Sequence, residues 1–353
     1  MTEPRAPRAT LSTIAEAAGV SIATVSKVLN GRSDVAPSTR ALVQELLRQH
    51  DYVGRQRTEP DGQRSARAFQ VSGPSVELLF HNDLNAYGVE VVQGVLDAGA
   101  AAQVAVIVSR REDQPAGGTG ADWVADLVRA GRRAVISVVD ELSADDIAAL
   151  DKVRLPLVVV DPLNLPDAQI TSIGSTNFAG GLSATQHLLE LGHRRIAYIG
   201  GPVTAACNQA RAAGFRAAVE AAGEEVPDAY VRTGDFMFDS ALKQAMVLLD
   251  LPEPPTAVFA GSDETALAVI EAARSRGLRV PEDLSVVGFD DTLMAKMSSP
   301  ALTTVRQPLR EMGAVALRTA LRLVAGEELD SHHVELATRL IVRDSTEALR
   351  EEA

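Results

Sequence analysis

The chain has 353 residues, about twice the usual size of one domain, so two or three folded units with sizeable cores are expected. Hydrophobic residues make up 46% and charged residues 23%, a globular balance, and no apolar run reaches the roughly 18–20 residues that span a bilayer, which excludes a helical membrane protein. The start lacks the apolar core of a secretory signal and Cys207 is the single cysteine, so no intrachain disulfide forms and a cytoplasmic home is expected.

A net charge of −13 argues against nucleic acid, but the charge is unevenly spread. Residues 1–75 hold ten Lys and Arg against seven Asp and Glu, a net of +3; the other 278 residues hold 24 against 40, a net of −16. A cationic head on an anionic body confines any phosphate contact to one end.

In chain order, the first predicted elements lie in residues 10–30, TLSTIAEAAGVSIATVSKVLN. Leu11, Ile14, Ala15 and Ala18 share one helical face, Gly19 tolerates positive φ, and Ser21 can cap a second helix that buries Val25, Val28 and Leu29. This spacing predicts a helix-turn-helix. A third helix is expected from Pro37 or Ser38 to about His50, because proline suits the first turn and Val43, Leu46 and Leu47 can close a three-helix core. Ala23 and Lys27 lie one turn apart, away from the Val25/Leu29 face, and Ile22 occupies the exposed first turn. These three are the candidates for base edges, Lys27 donating to guanine and Ile22 or Ala23 touching a thymine methyl. Thr10, Ser21, Thr24, Ser26, Asn30 and Thr39 carry hydroxyl or amide groups suited to phosphate contacts. A helical hairpin that only packs against a partner is the alternative; turn, cap, polar outer face and cationic balance together favour duplex DNA.

Residues 1–52 are therefore read as a headpiece, and residues 53–75, rich in Gly, Pro, Arg, Gln and Ser, as a linker. From residue 76 short apolar runs alternate with amphipathic stretches: VELLF then 89–101, VAVIV then 123–130, AVISVV then 145–153, and LVVV before Asp161. After a helix around 179–191 come RIAYIG, 211–222, YVRTG, 240–249, AVFAG, 264–276 and LSVVGFD. This β-α repeat predicts an α/β core, 76–353, of two doubly wound parallel sheets. One lobe is expected at about 76–174 and 306–325, the other at about 175–291 and 330–345. The chain should cross between them near 174–178, near 291–305, and before a final strand at 334–342.

Five segments, AEAAGVSIATVSKVLNG in the head, LGHRRIAYIGGP at 191–202, FAGSDETALAV at 259–269, VPEDLSVVGFDD at 280–291 and LTTVRQP at 302–308, closely resemble the LacI/GalR family of bacterial transcriptional repressors. The resemblance extends over nearly the whole chain. It implies a DNA-binding headpiece, a hinge, and a core like the periplasmic sugar-binding proteins, dimeric and closing on a small effector. Family members commonly carry a hinge helix of the form N-x-x-A-R-x-L whose leucine wedges into the minor groove. Here Arg64-Ser-Ala-Arg67-Ala-Phe69 departs from that pattern, with Phe69 in the place of the wedge.

Ligands of open α/β sheets bind beyond the carboxyl ends of the strands, so with two lobes the pocket is expected between them. Asp263 follows AVFAGS and Asp290 follows LSVVGF, each able to accept two hydroxyls, and Arg211, expected to begin the helix after RIAYIGGP, offers a planar fork of donors. In the resembled family the matching positions, within motifs like QARAAGFRAA and GFDD, commonly hold the effector. Aromatic residues are only 4% of the chain, so Tyr87, Trp123 and Phe178 near predicted loops stand out as surfaces for a sugar ring, with ordinary packing the alternative for each. Asn85 and Asn208 are added for amide groups in the right loops, and for Asp263 and Asp290 the alternative is a helix cap or a structural carboxylate. The set favours a neutral mono- or oligosaccharide, and TNFAGGLSATQHLLELGHRRI is similar to regulators of plant-sugar use. A purine-like co-repressor is the alternative effector.

No GxSxG, HExxH or GxxxxGK[ST] motif occurs and one cysteine makes no thiolate cluster, so neither catalysis nor a cofactor or metal is expected. His187 and His193 are expected at a helix end and a turn, His332 and His333 in a polar loop, and Gly117 to Gly120 in a flexible connection. From another class, the alternatives are an intracellular sugar-binding protein, or an enzyme that would use Asp263 and Asp290 as an acid/base pair. The sequence is thus read as a homodimeric repressor that holds a pseudo-palindromic operator and is released by a sugar.

Overall fold

The computed structural model describes residues 11–29, 35–49, 75–80, 84–111, 120–139, 142–162 and 170–349, in two compact units divided after residue 68. Thr10, Asn30, Phe69 and nearly all of the expected linker lie outside the described residues.

The first unit is three helices, α1 (Leu11–Ala18), α2 (Ile22–Leu29) and α3 (Pro37–Gln49). Gly19 adopts φ +64°, which turns the chain directly after α1, and Gly19 N and Val20 N bond back to the Glu16 and Ala15 carbonyls. Ser21 Oγ accepts from Thr24 N at 3.1 Å and caps α2. Ile14, Val25, Val28, Val35 and Val43 are buried together, so the apolar stripes of the three helices close one small core.

In chain order the second unit begins β1 (Ser75–Phe80), α4 (Ala86–Ala102), β2 (Ala105–Arg110), α5 (Gly120–Arg129), β3 (Arg132–Val138), α6 (Ala144–Lys152), β4 (Leu157–Val160) and β5 (Thr171–Ser175). It continues α7 (Asn177–Glu190), β6 (Ile196–Gly200), α8 (Ala206–Ala221), β7 (Val231–Thr233), α9 (Phe238–Leu249), β8 (Ala257–Ala260), α10 (Asp263–Ser275) and β9 (Ser285–Asp290). It ends with α11 (Leu293–Met297), β10 (Thr303–Arg306), α12 (Leu309–Val324), β11 (His333–Leu336) and β12 (Arg339–Ile341). Two sheets result, ordered β11-β5-β4-β3-β1-β2 and β12-β10-β9-β8-β6-β7. The first is wholly parallel and the second is parallel except for β12. Helices cover both faces of each sheet, which is why β1 and β9 are buried throughout and read as nearly unbroken apolar runs. Within each lobe one helix pair packs backbone to backbone: a Cβ on Gly94 of α4 would strike the Arg310 carbonyl of α12, and one on Gly214 of α8 would strike the Phe178 carbonyl of α7.

Three sequence expectations change. The strand expected at 334–342 is two strands: β11 extends the first sheet beside β5, and β12 pairs antiparallel with β10 in the second. Thr338, bonded through N and Oγ1 to Thr176, lies between them. The second crossing falls after β10 rather than before it, because Thr303 to Arg306 complete the second sheet against β9. His333 opens β11 instead of lying in a loop, with Nδ1 2.9 Å from Ser172 Oγ. His193 is a buried bridge among Thr256 Oγ1, Ser285 Oγ and the Glu347 carbonyl.

Candidate functional site

In the first unit Ile22, Ala23 and Lys27 are exposed on α2, while Val25 and Val28 of the same helix are buried. Ser26 also lies on α2, and Thr39 is half-buried on α3. Ser21 and Thr24, expected at phosphates, are committed first to each other: Ser21 Oγ caps the helix and sits 2.9 Å from Thr24 Oγ1. A hydroxyl that caps a helix still has a lone pair to offer, but its position is fixed by the helix.

In the second unit a pocket, partly open to solvent, lies between the lobes. Its walls are the residues just past β3, β4 and β9 together with the first turns of α4, α8 and α10. Tyr87, Asn85, Arg211, Asp263 and Asp290 line it, as does Asp161, which the sequence reading passed over.

Arg211 sits in the second turn of α8, not at its start as expected, and is almost fully buried. Its Nε donates to Asn177 Oδ1 at 2.7 Å and one Nη donates to the Gly261 carbonyl at 2.6 Å. The guanidinium lies 3.9 Å from the Phe289 ring centroid and 5.5 Å from that of Phe236. Among the described residues Nη2 has no protein partner, so Arg211 is held rigidly with that donor group left for a ligand. Asp290 accepts from Gln307 Nε2 at 2.7 Å, and the Gln307 Oε1 in turn accepts from Ser175 Oγ at 2.6 Å. Across the pocket Tyr87 Oη donates to Asp161 Oδ2 at 3.0 Å.

Burial dominates the electrostatics. It pushes the Asp290 carboxyl well above the ordinary carboxylate range and raises Asp161, while the Arg211 charge pulls both back. Asp263 is pushed by burial up to about 6, although Thr304 Oγ1 at 2.5 Å and Thr292 N and Oγ1 at 2.7 and 2.9 Å all donate to it. Three protein donors occupy that carboxylate, so Asp263 organises the Thr292 loop beside Asp290 and has little left for a ligand. Burial also lifts the Cys207 thiol to about 11, leaving it neutral. Among the described residues no three His, Cys, Asp or Glu converge as a metal site.

Three expected residues are elsewhere. Trp123 of α5 packs against the Leu79, Val124 and Leu150 cluster with Arg111 4.8 Å from its ring centroid, and Arg111 makes a two-pronged pair with Asp146 at 2.8 and 2.9 Å. It is a structural ring. Asn208 is buried and spends its amide on Tyr198 Oη, Gly201 N and the Pro202 carbonyl, shaping the loop after β6. Phe178 lines not this pocket but an adjoining cavity. Asp161 and Phe236 were missed. The rule that selected Asp290, a carboxylate directly after an apolar strand, also selects Asp161 after LVVV. Phe236 follows a three-residue strand too short to announce itself.

Residues 10–54 match the family described as bacterial regulatory proteins, lacI family, and residues 185–346 match the periplasmic binding protein-like domain. The chain is 35% identical to the HTH-type transcriptional regulator CelR of Thermobifida fusca over 97% of this chain and 99% of that one. It is 31% identical to catabolite control protein A of Priestia megaterium over 96% and 99%. Among solved structures it is similar to a transcriptional regulator CelR–cellobiose complex, with a TM-score of 0.70 and 32% identity over 96% of this chain and 100% of that one. It is also similar to the lac repressor dimer bound to operator and the anti-inducer ONPF, with a TM-score of 0.71 and 27% identity over 97% and 100%.

Proposed function

Because the chain belongs to the lacI family of bacterial regulatory proteins, we propose that it acts as a homodimeric repressor that holds a pseudo-palindromic operator and lets go when a neutral sugar fills the cleft. The observation that carries the effector class is the pairing of Arg211, with one donor group to spare, and the acceptors Asp290 and Asp161, which reach the pocket from opposite lobes. Hydroxyls accept from the first and donate to the others, so a polyol tightens both lobes around itself. Phosphate esters fit poorly, since Asp161, Asp263, Glu264 and Asp290 surround a single guanidinium. The CelR neighbour contains cellobiose, and an Enterococcus faecium relative with a TM-score of 0.69 contains ribose. Both support the carbohydrate reading.

Ile22, Ala23 and Lys27 are the proposed base-reading residues, exposed on the helix that the cap at Ser21 fixes. The cleft is proposed to bind without turnover: an acid/base pair of Asp263 and Asp290 is disfavoured, because Asp263 is already occupied by three donors. Such a protein works in the cytoplasm, where its operator lies; no described helix is long and apolar enough to cross a membrane. The test is fluorescence anisotropy of labelled palindromic genomic fragments with a panel of sugars. Selective binding that one sugar weakens is expected. Equal binding to all fragments, with or without sugar, overturns the proposal, and tightening by a purine replaces it with co-repression.

A further inference from the structure

Resting on the carbohydrate reading above, we propose that the cleft takes a linear neutral oligosaccharide rather than a single ring, with its further units in a second cavity on the crossover side that stacks a pyranose on Phe178. This cavity, about 690 Å³ and partly open, is by itself within the range of about 300–1,000 Å³ usual for a small-molecule site, so it has room for units beyond the one held at Arg211. It lies between the ends of β4, β5 and β11 in one lobe and the first turns of α7 and α8 in the other. Asp161 and Cys207 line both it and the Arg211 pocket, so the two spaces adjoin at that pair.

The lining has saccharide chemistry. Phe178 is 47% exposed, and it is the one exposed aromatic among the described residues. It is held on a rigid element, since its carbonyl is the atom against which Gly214 packs, and the preceding residue is Asn177, which fixes Arg211. Across the cavity β11 contributes His333, tied to Ser172, and Glu335, whose carboxylate is exposed and has no protein partner among the described residues. The Gln209 amide donates to the Val203 carbonyl, which leaves its oxygen as an acceptor at the rim. An apolar ring face opposite a carboxylate and an imidazole matches a pyranose, which presents axial C–H groups on one side and hydroxyls at its edge. A lone exposed phenylalanine is ordinary on a protein surface. Here it forms a wall of a space that shares Asp161 and Cys207 with the pocket proposed for the first sugar.

The test uses the full-length protein and calorimetric titration with matched mono-, di-, tri- and tetrasaccharides of the β-1,4-glucan, β-1,4-xylan and β-1,4-mannan series. The readout is the ratio of tetrasaccharide to monosaccharide affinity within the series that binds. The wild type is expected to show a rising ratio. Phe178→Ala is expected to lower it about three- to tenfold, and Phe178→Trp to restore it. An affinity independent of chain length, or a ratio unaltered in a folded Phe178→Ala protein, overturns the second site while leaving the sugar-responsive reading standing. Failure of every sugar to bind removes that reading and the second site with it.

Discussion

Replacing Gln307 with leucine is expected to leave operator binding intact while disconnecting it from the sugar. Gln307 is 3% exposed at the second crossing, and its amide joins Asp290, the last residue of β9, to Ser175, the last residue of β5. The other arm of the effector pair ends at the same residue: Arg211 Nε bonds Asn177, whose Nδ2 donates to the Ser175 carbonyl at 3.1 Å. Arg211 and Asp290 are thus tied, each through one amide, to the point where the chain first leaves one lobe for the other. Leucine forfeits a bond to a carboxyl, about 1.5–3 kcal/mol if ionised, and a neutral one of about 0.5–1.5 kcal/mol, partly offset by buried apolar surface. A net loss of about 2–3 kcal/mol lowers the melting temperature of a body this size by about 4–12 °C.

The decisive measurement is operator affinity with and without saturating effector, across a wild-type coupling expected near 1–3 kcal/mol, or about 5- to 150-fold. In Gln307→Leu that ratio should fall toward unity. Linkage requires the influence of operator on sugar affinity to fall by the same factor, so the two titrations check each other. Asn177→Ala should weaken coupling as well, and the double variant should lose less than the sum because both bridges end on Ser175. A folded Gln307→Leu protein that switches as the wild type does would refute the bridge and leave Gln307 as packing.

Ser21→Ala removes the cap of α2 and should cost the headpiece about 1 kcal/mol, read as faster amide exchange in residues 22–29 of the intact protein. Gly214→Ala drives a Cβ into the Phe178 carbonyl, so α7 and α8 must part; a loss of about 1–3 kcal/mol by denaturant titration and weakened sugar binding through displaced Arg211 are expected. Asp263 titrates near 6 in the folded chain against an ordinary 3.8, so its stabilising contribution is complete below 3.8 and lost as pH rises through about 6. Asp263→Asn should therefore flatten the dependence of melting temperature on pH across that window, and an identical slope in the variant would show that other carboxyls set it.

Much of the architecture is legible because a strand buried on both faces must be apolar throughout. VELLF, AVFAG and LSVVGFD announce β1, β8 and β9 for that reason. Strands at crossings have no such obligation: β5, TSIGS, alternates buried and half-buried, and β11, HVEL, alternates exposed and half-buried, so neither stands out by composition. Asp290 and Arg211 were legible from strand-end position and donor geometry. Asp263 was selected by the same rule, yet its partners Thr292 and Thr304 lie 29 and 41 residues away, a distance over which sequence spacing carries no information. Trp123 misled because rarity in composition says nothing about which side of a helix meets the core.

The backbone itself marks the cleft. Among the described residues seven non-glycines have φ in the left-handed region, and four of them, Val139, Asp161, Phe236 and Asp290, line the Arg211 pocket. Gln103 and Arg154, by contrast, follow α4 and α6, where that conformation is an ordinary helix ending. Val139 and Asp161 each follow directly on a strand and Asp290 ends one, and strain of about 1–3 kcal/mol per residue persists only where neighbours over-determine the geometry. The neighbours here are sheet bonds carried one residue too far: Val139 N to the Val160 carbonyl, Asp161 N to the Ile173 carbonyl, and Gln307 N to the Asp290 carbonyl. The last of these spans a crossing. Gln307, at that crossing, holds Asp290 through both its backbone N–H and its side-chain amide, and Asp290 stands at φ +121°. The proposed effector contact, a left-handed backbone and the tie to a crossing therefore coincide at Asp290, the residue through which a bound ligand is expected to bias the relation of the lobes.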